Sequence, residues 1–180
     1  MSGAFDATRL ATTASAALRA YDPGHDLPAL RGRFGAAIAE LGPNENVLGA
    51  SPQALAAMRS ALDEVYRYPD PRGAALKSAL AQRLDVDVAQ IALGNGSHEL
   101  LMMLAQCFAD AAHSIVYAQY GFAVYPIATA AAGAQGICVP ALPRDHATAP
   151  LGHDLDAIAA AVRPDTRILY LANPNNPTGT

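Results

Sequence analysis

Hydrophobic and polar residues alternate along the chain in two rhythms, one typical of buried strands and one of helices. Four short apolar runs have the length and composition of buried strands: residues 90–93, 114–118, 137–139 and 167–172. Three other segments carry apolar residues at helical spacing: residues 97–109, 122–132 and 154–162. Because short strands alternate with helices, the pattern predicts an α/β fold with a mostly parallel sheet and flanking helices.

The amino-terminal part follows a weaker pattern. Residues 1–48 show little hydrophobic periodicity and contain several Pro and Gly positions, so we predict an arm and linker without a core of its own. A Ser-Pro pair at 51–52 then opens a helix predicted to reach about Tyr66, because Ser is a favoured N-cap and Pro is tolerated in the first turn. A second helix is predicted over residues 73–84, with Lys77 on the side away from its three leucines.

Composition narrows the classes of function. The chain has 180 residues, 52% of them hydrophobic, and a net charge of −4, which argues against a nucleic-acid or anionic-membrane surface. It shows neither a membrane-length apolar run nor the features of a secretory signal, so we expect a cytoplasmic protein. Cys107 and Cys138 lie in apolar contexts and are predicted to be buried free thiols, with a disulfide or metal pair as the alternative. The five histidines show no metal-ligand spacing, so no metal site is predicted.

The loop at residues 94–99 carries the first candidate chemistry. Gly94-Asn95-Gly96-Ser97-His98-Glu99 follows a predicted strand and opens a helix. Its glycines let the backbone approach an anion, and the free N–H groups and positive dipole end of the helix start favour a phosphate, with Ser97 and His98 as side-chain donors. An ordinary capped strand-to-helix turn is the alternative. A dinucleotide fingerprint is absent, because Glu99 stands where that motif needs Gly.

A second polar loop follows the last predicted strand. Asn173-Pro174-Asn175-Asn176-Pro177-Thr178-Gly179 contains two Asn-Pro steps, which favour extended backbone at Asn173 and Asn176. An asparagine amide held there offers both a donor and an acceptor to a ligand at the carboxyl edge of a parallel sheet. A polar exit turn is the alternative interpretation.

Six motifs follow one another in a fixed order. They are Leu41-Gly42-Pro43-Asn44-Glu45-Asn46, Ser51-Pro52, Tyr68-Pro69-Asp70, Gly94 through Leu100, Phe122-Ala123-Val124-Tyr125 and Asn173 through Gly179. In this order they resemble the amino-terminal half of the fold-type I, pyridoxal-phosphate-dependent aminotransferases of class I and II, and most closely the histidinol-phosphate aminotransferases. By this resemblance, residues 49–180 are the amino-terminal half of the large, cofactor-binding domain, and residues 1–48 contribute to the small domain.

The resemblance implies four contacts to pyridoxal 5′-phosphate within the chain. Ser97 and His98 would bind the cofactor phosphate, and Phe122 would stack on the pyridine ring. Asn176 would hydrogen-bond the 3′-oxygen of the ring, which helps to set its electronics. The chain departs from the family at His98, where Asp is common, and this changes the local charge beside the phosphate.

The resemblance also implies contacts to a second subunit and to substrate. In a homodimer, Tyr68 would reach the phosphate of the neighbouring subunit's cofactor, and Asn46 would lie over the substrate entrance. The implied partners are small molecules, namely an amino acid, a 2-oxo acid and a phosphorylated imidazole compound, with no nucleic acid and no membrane.

Transamination requires a lysine that forms the Schiff base, and in the family this lysine lies downstream of the Asn-Pro-Thr-Gly motif. The only lysine of the chain, Lys77, precedes the phosphate loop and is interpreted as a solvated helix residue. No catalytic residue is therefore assigned, and the 180-residue chain alone is predicted to be an inactive fragment. For the complete enzyme the resemblance implies amino transfer between histidinol phosphate and 2-oxoglutarate in histidine biosynthesis. The alternatives are an aromatic aminotransferase, a phosphothreonine decarboxylase-like enzyme, or a non-catalytic phosphate-binding or dimerisation module.

Overall fold

A computed structural model describes residues 10–16, 18, 21, 24, 26–35, 37–39, 41–42 and 44–180. The chain divides into two compact units. One, called here the sheet unit, combines Met1–Tyr21 with Gly94–Thr180, and the other, the helical unit, is Asp22–Leu93. The predicted boundary after residue 48 concerns the domains of a whole enzyme and stays a prediction, and part of the predicted arm lies outside the described residues.

Helices and parallel strands alternate in the sheet unit. The described residues form the α-helices α1 Thr13–Ala16, α2 Leu27–Phe34, α3 Pro52–Ala61, α4 Ala74–Leu84, α5 Ser97–Phe108, α6 Val124–Ala131 and α7 Leu155–Ala161. They form the strands β1 Ser114–Ala118, β2 Gln135–Val139 and β3 Thr166–Tyr170. The strands pair in parallel in the order β2-β1-β3, with Val116 opposite Ile137 on one side and Leu169 on the other. This arrangement confirms the predicted α/β fold.

The core of the sheet unit lies on both faces of the central strand β1. Ile115 and Val116 are fully buried, and consecutive strand residues point to opposite faces of a sheet. Ile115 belongs to a cluster with Val124 and Ala128 of α6, whereas Val116 belongs to a cluster with Ile158 of α7. Burial on both faces explains why this strand is a continuous apolar run and not an alternating one.

In the helical unit the first predicted helix is shorter than expected. Helix α3 ends at Ala61, and the chain continues as a 3-10 turn over Leu62–Glu64, so regular α-helix stops short of Tyr66. No residue of α3 is buried within the described structure. An amphipathic pattern specifies which face a helix presents, but burial of that face supplies most of its stability, so the end of an unburied helix is weakly determined.

The first predicted strand, at residues 90–93, does not form. A 3-10 turn over Val88–Gln90 occupies its beginning, and a reciprocal pair of hydrogen bonds closes this turn. The side chain of Asp87 accepts from the N–H of Ala89 at 2.7 Å, and the side chain of Gln90 accepts from the N–H of Asp87 at 2.9 Å. Since no described strand pairs with residues 90–93, local capping determines the backbone there and the apolar pattern does not.

Helix α4 turns inward a face that carries only one of its three leucines, the half-buried Leu80. Ala81 is its buried residue and Lys77, one turn earlier, is half-buried, whereas Leu76 and Leu84 are mostly exposed. The Val88–Gln90 turn packs against α4. The prediction that Lys77 lies on the exposed face is therefore wrong, and the aliphatic stem of a lysine suits such a half-buried position.

Both cysteines are free thiols, as predicted, but both are exposed and not buried. Cys138 lies on β2, which among the described strands pairs only with β1, and Cys107 lies in the last turn of α5. Within the described ranges, no helix has the length and apolar character needed to cross a bilayer.

Candidate functional site

An open cleft lies at the carboxyl edge of the sheet, where ligands of parallel α/β proteins bind. It has a volume of about 400 Å³ and is lined by Ser97, Leu100, Leu101, Phe122, Tyr125, Leu171, Ala172 and Asn176. Three of the residues proposed from the sequence, Ser97, Phe122 and Asn176, therefore meet at one cleft, although they come from three separate segments of the chain.

The start of α5 carries unpaired backbone donors, and its first residue, Ser97, lines this cleft. Gly96 is the N-cap residue and supplies no side-chain acceptor, and its φ of +85° is a conformation that favours glycine. Among the described residues, none accepts a hydrogen bond from the N–H groups of Ser97, His98 or Glu99. Three free donors at the positive end of a 12-residue helix are suited to an anion such as a phosphate.

Glu99 holds the glycine loop in place, a role that the sequence pattern does not reveal. Its Oε2 atom accepts from the backbone N–H of Asn95 at 2.6 Å and from the side-chain amide of Asn95 at 3.1 Å. A Cβ atom at Gly94 would lie 3.0 Å from this carboxylate and from Leu100, so the close return of the glutamate needs a glycine there. The carboxylate thus satisfies one loop donor and leaves those of Ser97 and His98 available.

Phe122 and Tyr125 form an aromatic wall of the cleft and belong to a longer series of contacting rings that continues behind it. Phe122 meets Tyr125 edge to face with ring centroids 6.1 Å apart, and Tyr125 stacks on Tyr170 at 4.7 Å. On the other side, Tyr21 meets Phe122 edge to face at 6.2 Å and His98 at 5.4 Å. Such pairs are stabilising beyond the area that they bury. The contribution of Tyr21 and Tyr170 is not apparent from the motifs, because these residues lie in other elements.

The inner tyrosine of this series links α5 to β3. The Tyr170 hydroxyl donates to the carbonyl oxygen of Leu101 at 2.8 Å, and Tyr170 is only 5% exposed. Burial, together with the neighbouring Tyr125, raises the pKa of Tyr170 to about 12. Burial also raises the pKa of Tyr125. Both phenols are therefore neutral at physiological pH, and this wall of the cleft is uncharged and largely apolar.

The loop after β3 presents Asn176 to the cleft and turns Asn175 inward. Asn175 is 3% exposed, whereas Asn176 is exposed and lines the cleft. The backbone N–H of Asn175 donates to Thr180 at 2.7 Å, and the carbonyl oxygen of Asn175 accepts from Gly179 at 2.7 Å, which closes the loop. None of the described residues hydrogen-bonds to the side-chain amide of Asn176, so this amide is available to a ligand.

The remaining predicted site residues are placed in different surroundings. The ring of His98 lies against Tyr21 and does not line the cleft, so only its backbone N–H is at the helix start. Tyr68 belongs to the helical unit, where its side chain is fully exposed. Asn46 also belongs to that unit, and its side chain closes a turn by accepting from Leu48 at 3.1 Å and donating to Gly49 at 2.9 Å. The roles of Tyr68 and Asn46 stay predictions.

Within the part of the chain that the structure describes, no three potential ligands among His, Cys, Asp and Glu come together to hold a metal ion. The cleft combines an aromatic wall, a free amide and the donors of a helix start. A parallel α/β fold with these features at the carboxyl edge of its sheet defines a class of proteins that bind small anionic ligands there. Residues 37–180 match the model of the family described as aminotransferase class I and II, and the chain belongs to this family.

Its relatives in sequence are histidinol-phosphate aminotransferases. Histidinol-phosphate aminotransferase 1 of Thiobacillus denitrificans is 52% identical over 167 residues, which are 91% of this chain and 42% of the relative. Histidinol-phosphate aminotransferase 2 of Methylococcus capsulatus is 47% identical over 175 residues, or 96% of this chain and 47% of the relative. The chain thus spans less than half the length of the curated relatives it matches.

Solved structures with a similar fold include a histidinol-phosphate aminotransferase from Sinorhizobium meliloti in complex with pyridoxal-5′-phosphate. It superposes with a TM-score of 0.75 at 31% identity, over 92% of this chain and 43% of that chain. An aspartate aminotransferase from Thermus thermophilus superposes with the same TM-score over 94% of this chain and 46% of that chain, at 21% identity, and shows likeness of fold alone.

Proposed function

We propose that this chain is a cofactor-binding part of a pyridoxal-phosphate-dependent aminotransferase of the histidinol-phosphate type. The reaction is amino transfer between an amino acid, with glutamate as the expected donor, and imidazole acetol phosphate. The observation that carries the proposal is the meeting of Ser97, Phe122 and Asn176 at one cleft. The names of the relatives, at 45–52% identity, support the choice of substrate.

The chemistry of the cleft fits pyridoxal 5′-phosphate in three respects. The unpaired N–H groups at the start of α5 suit its phosphate. The face of Phe122, held by edge-to-face contacts to Tyr21 and Tyr125, suits its aromatic ring. The unpaired amide of Asn176 suits a ring oxygen, because it can donate one hydrogen bond without losing another.

These residues bind and orient the cofactor and do not react with it. Bound pyridoxal phosphate supplies an electron sink for chemistry at the carbon that carries the amino group. The donors of α5 hold one end of the molecule, and the amide of Asn176 holds an oxygen on its ring. The apolar wall of Phe122 and Tyr125 excludes water from one ring face. Orientation of this kind reduces the entropy that the reaction would otherwise lose.

Lys77 is not expected to take part in the reaction. It is the only lysine of the sequence, and it is half-buried on α4 in the helical unit. We therefore expect the 180-residue chain alone to be inactive. Borohydride reduction of this chain in the presence of pyridoxal phosphate should leave no stable adduct on Lys77, and a peptide map carrying such an adduct would overturn this assignment.

The proposal extends to assembly and location. In a cytoplasmic homodimer, Tyr68 would reach the phosphate of the cofactor bound to the other subunit, and its full exposure here leaves it available for that contact. Asn46 would lie over the substrate entrance. The Tyr68 segment is well defined, because the Asp70 carboxylate accepts from the N–H groups of Arg72 at 3.0 Å and Ala74 at 2.6 Å. These hydrogen bonds hold the pKa of Asp70 below its ordinary value.

The test uses the protein expressed from its complete reading frame. We expect it to bind pyridoxal phosphate and to form glutamate from 2-oxoglutarate with histidinol phosphate as donor. Phenylalanine as donor and phosphothreonine as a decarboxylation substrate are assayed in parallel. Preference for either one would replace the proposed substrate by the corresponding alternative. Binding of pyridoxal phosphate without turnover of any of the three would favour a non-catalytic module.

A matched pair of asparagine variants tests the cleft itself. Asn176→Ala removes the free amide, and we expect its dissociation constant for pyridoxal phosphate to rise roughly 3- to 10-fold, as for the loss of one hydrogen bond. Asn173→Ala changes an exposed residue of the same loop that does not line the cleft, and its affinity should stay within twofold of the parent. Equal affinities of the two variants would contradict the assigned role of Asn176.

A further inference from the structure

Asn175 is buried beside the exposed Asn176, and its side chain makes contacts unlike those of its neighbour. Its Nδ2 atom donates to the carbonyl oxygen of Tyr120 at 2.9 Å and to the hydroxyl of Thr178 at 2.8 Å. The first of these contacts joins residues 55 positions apart in the sequence. Asn175 therefore connects the loop after β3 to the segment that follows β1.

The connected segment leads directly to the aromatic wall of the cleft. Tyr120 lies two residues before Phe122, and the carbonyl oxygen of Phe122 accepts from the N–H of Tyr125 at the start of α6. Gly121, which lies between Tyr120 and Phe122, is closely packed. A Cβ atom there would lie 2.9 Å from the ring of Tyr125 and 3.1 Å from the carbonyl oxygen of Ala118. The segment has little room to shift, so a contact to Tyr120 also constrains the position of Phe122.

We propose that Asn175 is a positioning residue that sets the distance between Phe122 and Asn176 across the cleft. The inference rests on the proposed function, in which these two residues contact the ring of pyridoxal phosphate. Asn175 does not line the cleft. Its backbone forms part of the Asn176 loop, and its side-chain amide donates a hydrogen bond to the segment that leads to Phe122. One residue thereby fixes the position of Asn176 relative to Phe122.

The donor end of the amide carries this role. The Tyr120 carbonyl can only accept, so the atom facing it must be the Nδ2 donor, and this fixes the orientation of the amide. The Oδ1 atom is buried and has no hydrogen-bond partner among the described residues. Both donor hydrogens of the Asn175 amide are used, whereas its acceptor is not. The contribution of this side chain therefore comes from its donors.

A carboxylate at this position would place one acceptor against another. Asn175→Asp keeps the shape of the side chain, but it donates to Tyr120 only while its carboxyl is protonated. Among the described residues, no charged side chain hydrogen-bonds to Asn175; its side-chain partners are a carbonyl and a hydroxyl. The spacing of the cleft should therefore become dependent on pH in this variant and stay independent of it in the parent.

The experiment measures binding of pyridoxal phosphate from pH 5 to 8.5, by equilibrium dialysis and by the visible circular dichroism of the bound cofactor. The protein is expressed from its complete reading frame, and each variant is compared with the parent at the same pH. We expect N175D to bind within about twofold of the parent at pH 5 and about tenfold more weakly at pH 8.5, with altered dichroism. An N175D affinity ratio that does not change with pH would contradict the donor role, and a role confined to folding predicts parental affinity in every variant that folds.

Gln135→Glu is the matched control, since it also converts an amide to a carboxyl. Gln135 opens β2 at the opposite end of the sheet, where its Oε1 atom accepts from Arg163 at 2.6 Å, and a carboxylate preserves that contact. Its affinity ratio to the parent should not change with pH. Asn175→Leu has no donor at any pH and no unpaired oxygen, so it should bind pyridoxal phosphate about tenfold more weakly than the parent at every pH. This variant replaces N175D in the test if N175D does not fold.

The outcomes separate the two proposals. A parent protein that binds no pyridoxal phosphate overturns the proposed function and this inference with it. A parent that binds, together with N175D and N175L proteins that bind equally well at every pH, overturns the role of Asn175 alone. Unfolding temperatures of the cofactor-free proteins identify any variant whose weak binding merely reflects a loss of folding.

Discussion

Removal of the Tyr170 hydroxyl tests the packing beneath the cleft. Tyr170→Phe deletes the 2.8 Å hydrogen bond to the Leu101 carbonyl but keeps a ring that stacks on Tyr125. Because the stacking and the buried area are retained, the expected loss is that of one hydrogen bond, about 1 kcal/mol. For a protein of this size the unfolding temperature should fall by roughly 2–4 °C.

The same variant changes the alkaline stability in a defined direction. The folded state raises the pKa of Tyr170 from 10.0 to about 12, so it holds the phenol proton more tightly than the unfolded chain does. The stability that depends on this proton is fully present below pH 10 and is lost as pH rises toward 12; it is on the order of 2 kcal/mol. The stability advantage of the parent over Y170F should therefore narrow above pH 10 and then reverse.

Two measurements check these expectations. Urea unfolding at pH 8, 10 and 11.5 follows the free energy of unfolding, and absorbance at 295 nm follows ionisation of the phenols. Tyr66→Phe is the control, because Tyr66 is 74% exposed and its hydroxyl only accepts from the side chain of its neighbour Arg67 at 2.9 Å. A Y170F protein as stable as the parent at pH 8, or a Y66F protein that loses as much, would refute the account of Tyr170.

Three further predictions concern turns, caps and acid stability. Gly121→Ala should destabilise the protein by roughly 1–3 kcal/mol, because its Cβ would meet the Tyr125 ring at 2.9 Å; thermal unfolding measures the loss. Asp154→Ala removes the acceptor for the N–H of Ala157 at the start of α7 and should cost about 1 kcal/mol in urea unfolding. The N–H of Ala112 donates to Asp110 and holds the pKa of this carboxyl below its ordinary value of 3.8. The stability that the carboxylate contributes is therefore present above pH 3.8 and is lost as pH falls. Urea unfolding at pH 6 and 3 should show a smaller acid-induced loss for Asp110→Asn than for the parent.

Each of these variants has an informative comparison. Gly42→Ala adds the same methyl group where nothing lies within 4 Å and should leave the unfolding temperature unchanged. Asp156→Ala removes an acidic residue from the same first turn of α7 without removing the cap, so it should cost less than Asp154→Ala. A G42A protein destabilised as much as G121A, or equal losses in the two α7 variants, would contradict the steric and capping explanations respectively. An equal acid-induced loss for D110N and the parent would contradict the role given to Asp110.

The sheet unit follows from the sequence to a large extent, and the helical unit does so less well. A strand buried on both faces, such as β1, requires a continuous apolar run. The run at residues 90–93 has a similar composition, yet no described strand pairs with it, and the capping pair of Asp87 and Gln90 determines its beginning. An apolar run thus predicts a strand only where a second strand lies beside it, and that neighbour is a property of the tertiary fold.

The cleft shows the same division between local pattern and long-range contact. The position of Asn176 follows from the end of β3, because the carboxyl ends of parallel strands meet at one edge of the sheet. Ser97 lines the same cleft although the strand predicted before it does not form, so its position depends on the packing of α5. Phe122 was predicted as a site residue, but the rings that support it were not, since Tyr21 and Tyr170 come from other segments whose side-chain contacts depend on how the elements pack. The role of Glu99 in holding the loop also could not be predicted, because its return to Asn95 depends on a rotamer and not on a residue type.

Asn175 and Asn176 show most directly where a sequence pattern ceases to be sufficient. They are neighbouring asparagines in one polar loop, and although the Asn-Pro step at Asn176 separates them, nothing in the pattern indicates that Asn175 is buried. In the structure one is 3% exposed and the other lines the cleft, and the difference arises from the Tyr120 carbonyl, 55 residues away in the sequence. A buried amide must be hydrogen-bonded, so the residue that reaches that carbonyl is the one that turns inward. Its neighbour is thereby left facing the ligand, and the division of roles follows from a single long-range hydrogen bond.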